Sequence, residues 1–316
     1  MLNFIIKRLL ISLLIVFIVS VFAFSLMHIL PGDPARIVLG ESADQSAVDA
    51  LRAKMNLDKP IPQQYFLWIS GVFKGDWGYS IIYSRPVGDI LSELVPRTLA
   101  ITIPAMIISV IVGILCGILS ATKRGKLIDQ IISIFSTLGI GMPQFWVAVF
   151  GILIFAVQFK ILPIQGFTPP TKDFNMYVQQ AILPVFAMSI TLIASVTRQT
   201  RSGMLEVMHQ DYIRTARANG LSQNRVVLRH ALRNALITVV TIIALQVRVV
   251  IGGSVIVEQV FNIPGIGTLM LTAITERDYM IVQSCVLIIS MCTVGANLIA
   301  DISYGLIDPK IRKTMG

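Results

Sequence analysis

Six stretches of the chain are predominantly apolar over a length that matches a membrane crossing: roughly Leu9–Leu30, Thr98–Ala121, Ile131–Gln158, Leu183–Ser202, Ala235–Val257 and Val282–Gly305. A spanning helix needs about 20 such residues. The pattern therefore predicts an all-α, polytopic membrane protein with six transmembrane helices. Lys7 and Arg8 precede the first stretch, as in a secretion signal. Its apolar run is too long for a signal and no small-x-small cleavage site follows, so an uncleaved anchor is expected. Pro143 lies inside the third stretch and predicts a kink, because an interior proline removes a backbone hydrogen bond.

Composition agrees. Of 316 residues, 55% are hydrophobic and 14% charged, with a mean hydropathy of +0.77; soluble domains carry about 25% charged residues. The net charge of +9 reads as a topology signal and not as nucleic-acid binding. With the N-terminus placed inside, the inner segments and the inner ends of the spans hold 15 Lys and Arg against 5 Asp and Glu, and the outer ones 10 against 12. The short connection Lys123–Lys126, the segment Asp211–Leu236 and the tail "DPKIRK" all point inward. Both termini are expected on the inner, cytoplasmic side.

Four regions follow: an anchor helix (1–30), an outer segment (31–97), a transmembrane core (98–305) with an inner segment at 203–234, and an inner tail (306–316). The outer segment predicts a small helical cap. Its first helix runs Ser46–Leu57 with a capping-box spacing from Ser46 to Asp49, its second runs Pro62–Phe73, and its third Pro86–Val95, after turn material at Gly75–Ser80. The chain has no G-x-x-x-x-G-K-[ST] sequence and no Ser/His/Asp or paired-carboxylate arrangement, so no catalytic, cofactor-binding or metal role is expected. Cys116, Cys285 and Cys292 lie in apolar runs, and His28, His209 and His230 form no cluster.

The basic segment "DYIRTARANGLSQNRVVLRHALRNAL" (Asp211–Leu236) is the least membrane-like part of the core. Asp211 is placed to cap a first helix bearing Ile213 and Ala216, and Gly220 to end it. Ser222 then suits the N-cap of a second helix, with Leu228, Ala231, Leu232, Ala235 and Leu236 on one face and Arg225, Arg229 and Arg233 on another. A plain solvated loop needs neither the Gly-Ser punctuation nor the apolar stripe. Two short helices shaped for docking do.

"DYIRTARANGLS" followed by "RHALRNAL" resembles the EAA-type loop of ABC importer permeases in the dipeptide/oligopeptide/nickel group. The resemblance extends along nearly the whole chain, through "LPGDPAR" (Leu30–Arg36), "GDWGYS", Arg85–Val87, "LPIQG" (Leu162–Gly166), "GGSVIVEQVFNIPGIG" (Gly252–Gly267), Arg277–Tyr279 and Asp308–Arg312. It implies a type I ABC importer permease that translocates di- or oligopeptides; glutathione and nickel chelates are alternative substrates. The implied partners are a paralogous permease in a heterodimer, two ATPase subunits that bind ATP and Mg, and an extracytoplasmic substrate-binding protein. In such permeases the loop carries a coupling helix that docks on the ATPase. Carried over, the coupling residues are Asp211, Tyr212, Arg214, Thr215, Ala216, Arg217, Ala218, Gly220, Leu221 and Ser222, with Ala216 and Gly220 at the small positions of the motif. Thr215 or its neighbours stand where the motif has Glu.

Arg248 lies within the fifth stretch, where a charge is costly unless it faces a cavity or a partner. It either lines the translocation pathway and attracts an anionic group, pairs with an acid, or snorkels to one face. Gln144, Ser136 and Ser189 are further pathway candidates; Glu258, Asn262 and Pro264, at the outer end of the fifth stretch, are candidates for docking the binding protein. A stand-alone secondary transporter or channel is the rival reading. It calls for ionisable residues deep in several spans, and Arg248 is the one clear case. The topology is directly testable: alkaline phosphatase fused after Thr171 is expected to be active and after Gly125 inactive, and the opposite pattern would invert the chain.

Overall fold

The computed structural model describes residues 2–29, 34–40, 43–80 and 82–307. Leu30–Asp33 of the "LPGDPAR" motif and the expected tail motif Asp308–Arg312 lie outside the described residues, as does the side chain of Arg248. The helices are α1 (Leu2–Ile29), α2 (Pro34–Leu39), α3 (Gln45–Lys54) and α4 (Ile61–Phe73), followed by a two-residue hairpin of β1 (Tyr79–Ser80) and β2 (Arg85–Pro86). Next come α5 (Val87–Thr122), α6 (Leu127–Gly141) and α7 (Gln144–Gly151), which continues as a π-helical segment, Ile152–Gln158. The chain then runs through α8 (Phe174–Met208), α9 (Asp211–Ala218) and α10 (Gln223–Arg225). A second π-helical segment, Val226–Ala231, leads into α11 (Leu232–Val260), α12 (Ile266–Thr275) and α13 (Tyr279–Ile307).

A helix covers the described part of each of the six expected apolar stretches. Phe4–His28 of α1, all of α5 and α8, and Tyr279–Ile299 of α13 are long and apolar enough to cross a membrane. α11, at 29 residues, covers the fifth stretch. The third stretch is bent at the expected Pro143 position, where two helical pieces, Leu127–Gly141 and Gln144–Gln158, meet in a bend of 104°. The bend falls where the Pro143 ring disfavours the helical region for the residue before it, and Met142 is extended at φ −83°, ψ 124°.

Two compact units are distinguished by their internal packing, one built on Arg97–Ile263 with the two chain ends, the other on Leu9–Pro96 and Pro264–Gly295. α8 is the hub of the first: 61% of its most apolar window is buried, against 17–33% for the other three spanning helices. Two glycines four residues apart bring α5 against it. A Cβ on Gly113 would lie 2.7 Å from Val196, and one on Gly117 2.5 Å from Thr200, so the backbones meet as in small-xxx-small membrane packing. Serines stitch the same seam. The Ser109 hydroxyl donates to the Ser189 carbonyl (3.3 Å) and the Ser189 hydroxyl to the Ala105 carbonyl (3.2 Å).

At one end of this unit the Asp129 carboxylate is enclosed. Arg201 of α8 binds both of its oxygens (2.8 and 3.0 Å), Ser120 of α5 donates to Oδ1, and the backbone of Gly125, at φ +77°, donates to Oδ2 (3.0 Å). One carboxylate thus joins α5, α6, their connecting turn and α8.

The second unit centres on Val87, Ile90, Leu91, Leu269, Ile281 and Cys285, with an aromatic layer of Phe24, Tyr65 and Trp68. Asp278 accepts from Ser80 of the hairpin (2.6 Å) and from the Ile281 amide (3.3 Å), tying the hairpin to the start of α13. Two expectations shift here. The first cap helix takes Asp44 as its N-cap, with the Ser46 hydroxyl donating to that carboxylate (3.0 Å), so the Ser46–Asp49 box does not form. The third expected cap helix is the opening of α5: no residue from Val87 to Thr98 stops it, and Pro96 is carried inside.

The α5–α8 contact predicts a contrast between two glycines. Gly117→Val drives side-chain atoms into Thr200 and is expected to cost about 1–3 kcal/mol, typical of overpacking. Gly252→Ala, where a Cβ meets nothing within 4 Å, is expected to leave thermal unfolding in detergent unchanged. Equal melting temperatures for the two variants would contradict the close approach.

Candidate functional site

The basic segment folds as one short helix and the start of a long one. α9 begins with Gln210 at its N-cap. Asp211, expected as the cap, is the first helical residue, where its charge favours the helix dipole and pairs with Arg214 (3.5 Å) on an exposed surface. The end is as the sequence predicts. The Gly220 amide donates to the Arg217 carbonyl (3.0 Å) and the Leu221 amide to the Ala216 carbonyl (3.3 Å), with Gly220 at φ +77°. That is a Schellman closure, which needs a residue in the left-handed region.

Ser222 occupies the next N-cap, and its carbonyl accepts from Val226 (3.0 Å) while its hydroxyl makes no cap bond. The expected second short helix is not a separate element. α10, the π segment and α11 follow one another without a gap, Gln223 to Val260. The π turn also changes which side chains are buried: Val226, Val227, Ala231 and Ala235. Leu228, expected on the apolar face, is 58% exposed. A π turn holds more residues than an α turn, so the straight-helix face rotates away.

These residues join Ile213, Ala216, Met204 of α8 and Ala121 of α5 in one cluster, with Leu221 packed at its edge. Full burial of Ile213 contributes about 2 kcal/mol to holding α9 in place. Ala216 is 8% exposed and faces this cluster. Its smallness therefore serves packing on its own chain. The outward face of α9 carries Asp211, Tyr212, Arg214, Thr215, Arg217 and Ala218, continued by Gly220 and Ser222. Tyr212 is held by Asn234 of α11, whose amide donates to its hydroxyl (2.6 Å). Arg225, Arg229 and Arg233 are exposed as well. The result is a basic surface with an aromatic ring and an exposed leucine, rigidly backed by an apolar cluster.

The other candidates are dispersed. Gln144 opens α7 just after the break, half-buried, with its side-chain oxygen against the backbone of Gly253 on α11. Ser136 is buried on α6. Ser189 is buried too, and its hydroxyl is committed to the Ala105 and Val185 carbonyls, within the α5–α8 seam. Glu258 is 1% exposed and accepts from the Thr98 hydroxyl (2.6 Å), so it offers no surface to a docking protein. Asn262, at φ 49°, and Pro264 are exposed. Sequence reading missed the Asp129–Arg201 pair, 72 positions apart. The available signal was Asp129 itself, an acid beside the basic turn Lys123–Lys126.

The inward direction of Ala216 is testable on the chain alone. Ala216→Leu is expected to destabilise it by about 1–3 kcal/mol. Ala218→Leu, on the exposed face, is expected to leave its thermal unfolding as it was. Reversal of the two would place Ala216 outward.

Comparison with known proteins covers nearly the whole chain. Residues 113–313 match the family described as the binding-protein-dependent transport system inner membrane component. Residues 1–102 match the N-terminal family of the same membrane component. The chain is 38% identical over 309 residues to a protein of Sinorhizobium fredii named as a probable peptide ABC transporter permease, covering 98% of this chain and 99% of the relative. It is 39% identical over 312 residues to the glutathione transport system permease protein of Escherichia coli K12, covering 99% of each.

Proposed function

This chain belongs to the family of binding-protein-dependent transport system inner membrane components, and from that premise we propose that it imports small peptides by moving its basic surface against ATPase subunits. The chain is the membrane-embedded permease of an ABC transport system. We assign the chemistry, hydrolysis of ATP with its Mg, to two partner ATPases, and delivery to an extracytoplasmic binding protein. A paralogous permease completes the pathway as a heterodimer. Peptides are favoured as substrate by the probable peptide permease among the relatives; glutathione, itself a tripeptide, is carried by the relative from Escherichia coli K12.

The observation that carries the coupling assignment is the outward face of α9, exposed on a helix that its own core holds rigidly through Ile213 and Ala216. ATP-driven closure of the ATPases displaces α9. Since Tyr212 is bonded to Asn234 and the π turn runs on into α11, displacement passes along one helix towards the Gln144–Gly253 contact beside the α6–α7 break. Gln144, Ser136 and Arg248 are the residues assigned to the path, with the cytoplasm on the side of α9. On the outer side, residues 31–97 form the cap and Asn262 and Pro264 the docking points.

In the reconstituted complex, Ala218→Trp is expected to abolish ATP-dependent peptide uptake, with the ATPase subunits no longer co-purifying, while the chain itself melts normally. Uptake and co-purification equal to those of the unmodified complex would refute α9 as the drive contact.

A further inference from the structure

The second unit holds two adjoining cavities that play no part in the coupling scheme. The larger, about 500 Å³, lies between α1, α3, α4, the hairpin and the first turns of α13. The smaller, about 220 Å³, lies between α1, α12 and α13. Its walls are apolar side chains such as Leu26, Ile274, Val282 and Val286, joined by Tyr279 and Gln283. Met27 and Gln283 line both. The larger volume is in the range of small-molecule sites, roughly 300–1,000 Å³.

Among the described residues, two buried polar atoms that line these cavities lack partners. Gln283 is 1% exposed and sits within the membrane-spanning part of α13. Its Nε2 donates to the Phe24 carbonyl (3.4 Å), which sets the amide orientation, and its Oε1 has no partner. Trp68 Nε1, also lining the larger cavity, has none either. A buried polar atom left unpaired is unfavourable, and more so at membrane depth.

We propose that the adjoining cavities bind a phospholipid whose headgroup carries an N–H or O–H donor, with an acyl chain in the smaller cavity, an ester carbonyl at Trp68 and the headgroup donor at Gln283. The chemistry of each wall selects this ligand. The small cavity between two spanning helices offers an acyl chain apolar contact along its length. The indole N–H needs an acceptor, which an ester carbonyl supplies. The Gln283 carbonyl oxygen needs a donor, which an ethanolamine ammonium supplies and a choline headgroup does not. Such a lipid wedges α1 and α13 against the α3–α4 layer. The site lies wholly within the second unit and is independent of α9.

The test is lipid retention, read without transport. The full chain, purified with its accompanying subunits, is returned to vesicles of either phosphatidylethanolamine or phosphatidylcholine, re-extracted stringently and examined by native mass spectrometry. Phosphatidylethanolamine is expected to stay bound and phosphatidylcholine to be lost. Met27→Trp, which fills the junction, is expected to lose both. Gln283→Leu keeps the apolar walls and is expected to erase the preference for ethanolamine. Should Met27→Trp fail to fold, Val286→Phe from the opposite wall takes its place. Equal retention of the two lipids by the unmodified chain, undiminished binding in the filled variant, or a peptide as the bound species would each overturn the proposal.

Discussion

Both oxygens of the Asp129 carboxylate are engaged at once from α5, from the α5–α6 turn and from α8. The remaining structure at that end depends on this convergence. A carboxylate so enclosed is costly to bury and is stable only while its partners stay in place; losing one partner of a buried pair costs about 3–5 kcal/mol. Arg201, partly open to solvent, places the pair towards the lower end of that range. Three residues further along α8, Met204 enters the cluster that seats α9. The ion pair and the apolar seat are therefore consecutive turns of one helix. Under the proposed coupling, this fixed base is what a push on α9 works against.

Above that base the design separates rigid contacts from a broken one. α5 and α8 approach through Gly113 and Gly117, with serine hydroxyls bonded across the seam. α6 and α7 turn sharply at Met142–Pro143, and there the Gln144 side chain rests on Gly253 of α11. α11 is also the helix that carries the π turn and, through Asn234, holds Tyr212. A continuous helix thus runs from the proposed drive surface to the one sharp break in the described spans. A π turn suits this role, because its wider spacing accommodates changes of register that an α turn resists.

What could be read from the sequence was local. The six apolar stretches, the Gly220 terminus and the Ser222 restart follow from periodicity and from the left-handed region that glycine tolerates. What was not legible shares one cause, which is that a neighbour distant in sequence decides the outcome. Ala216 faces inward because Met204 and Ala121 wait there; Glu258 is buried because Thr98, 160 positions away, donates to it. Leu228 is exposed because six residues adopt the π form, which no propensity in "VVLRHA" announces. The Asp129–Arg201 pair joins two helices whose separate charges looked like ordinary topology signals.

The central proposal is that displacement of α9 moves α11 because the clamp at Asp129 holds the base on which α9 is seated. It is tested most directly by measuring ATP hydrolysis and peptide uptake side by side in the reconstituted complex carrying Arg201→Ala. The account predicts that hydrolysis persists while uptake per ATP collapses, since the ATPases still dock but push on a yielding base. Uptake per ATP equal to that of the unmodified complex would contradict it.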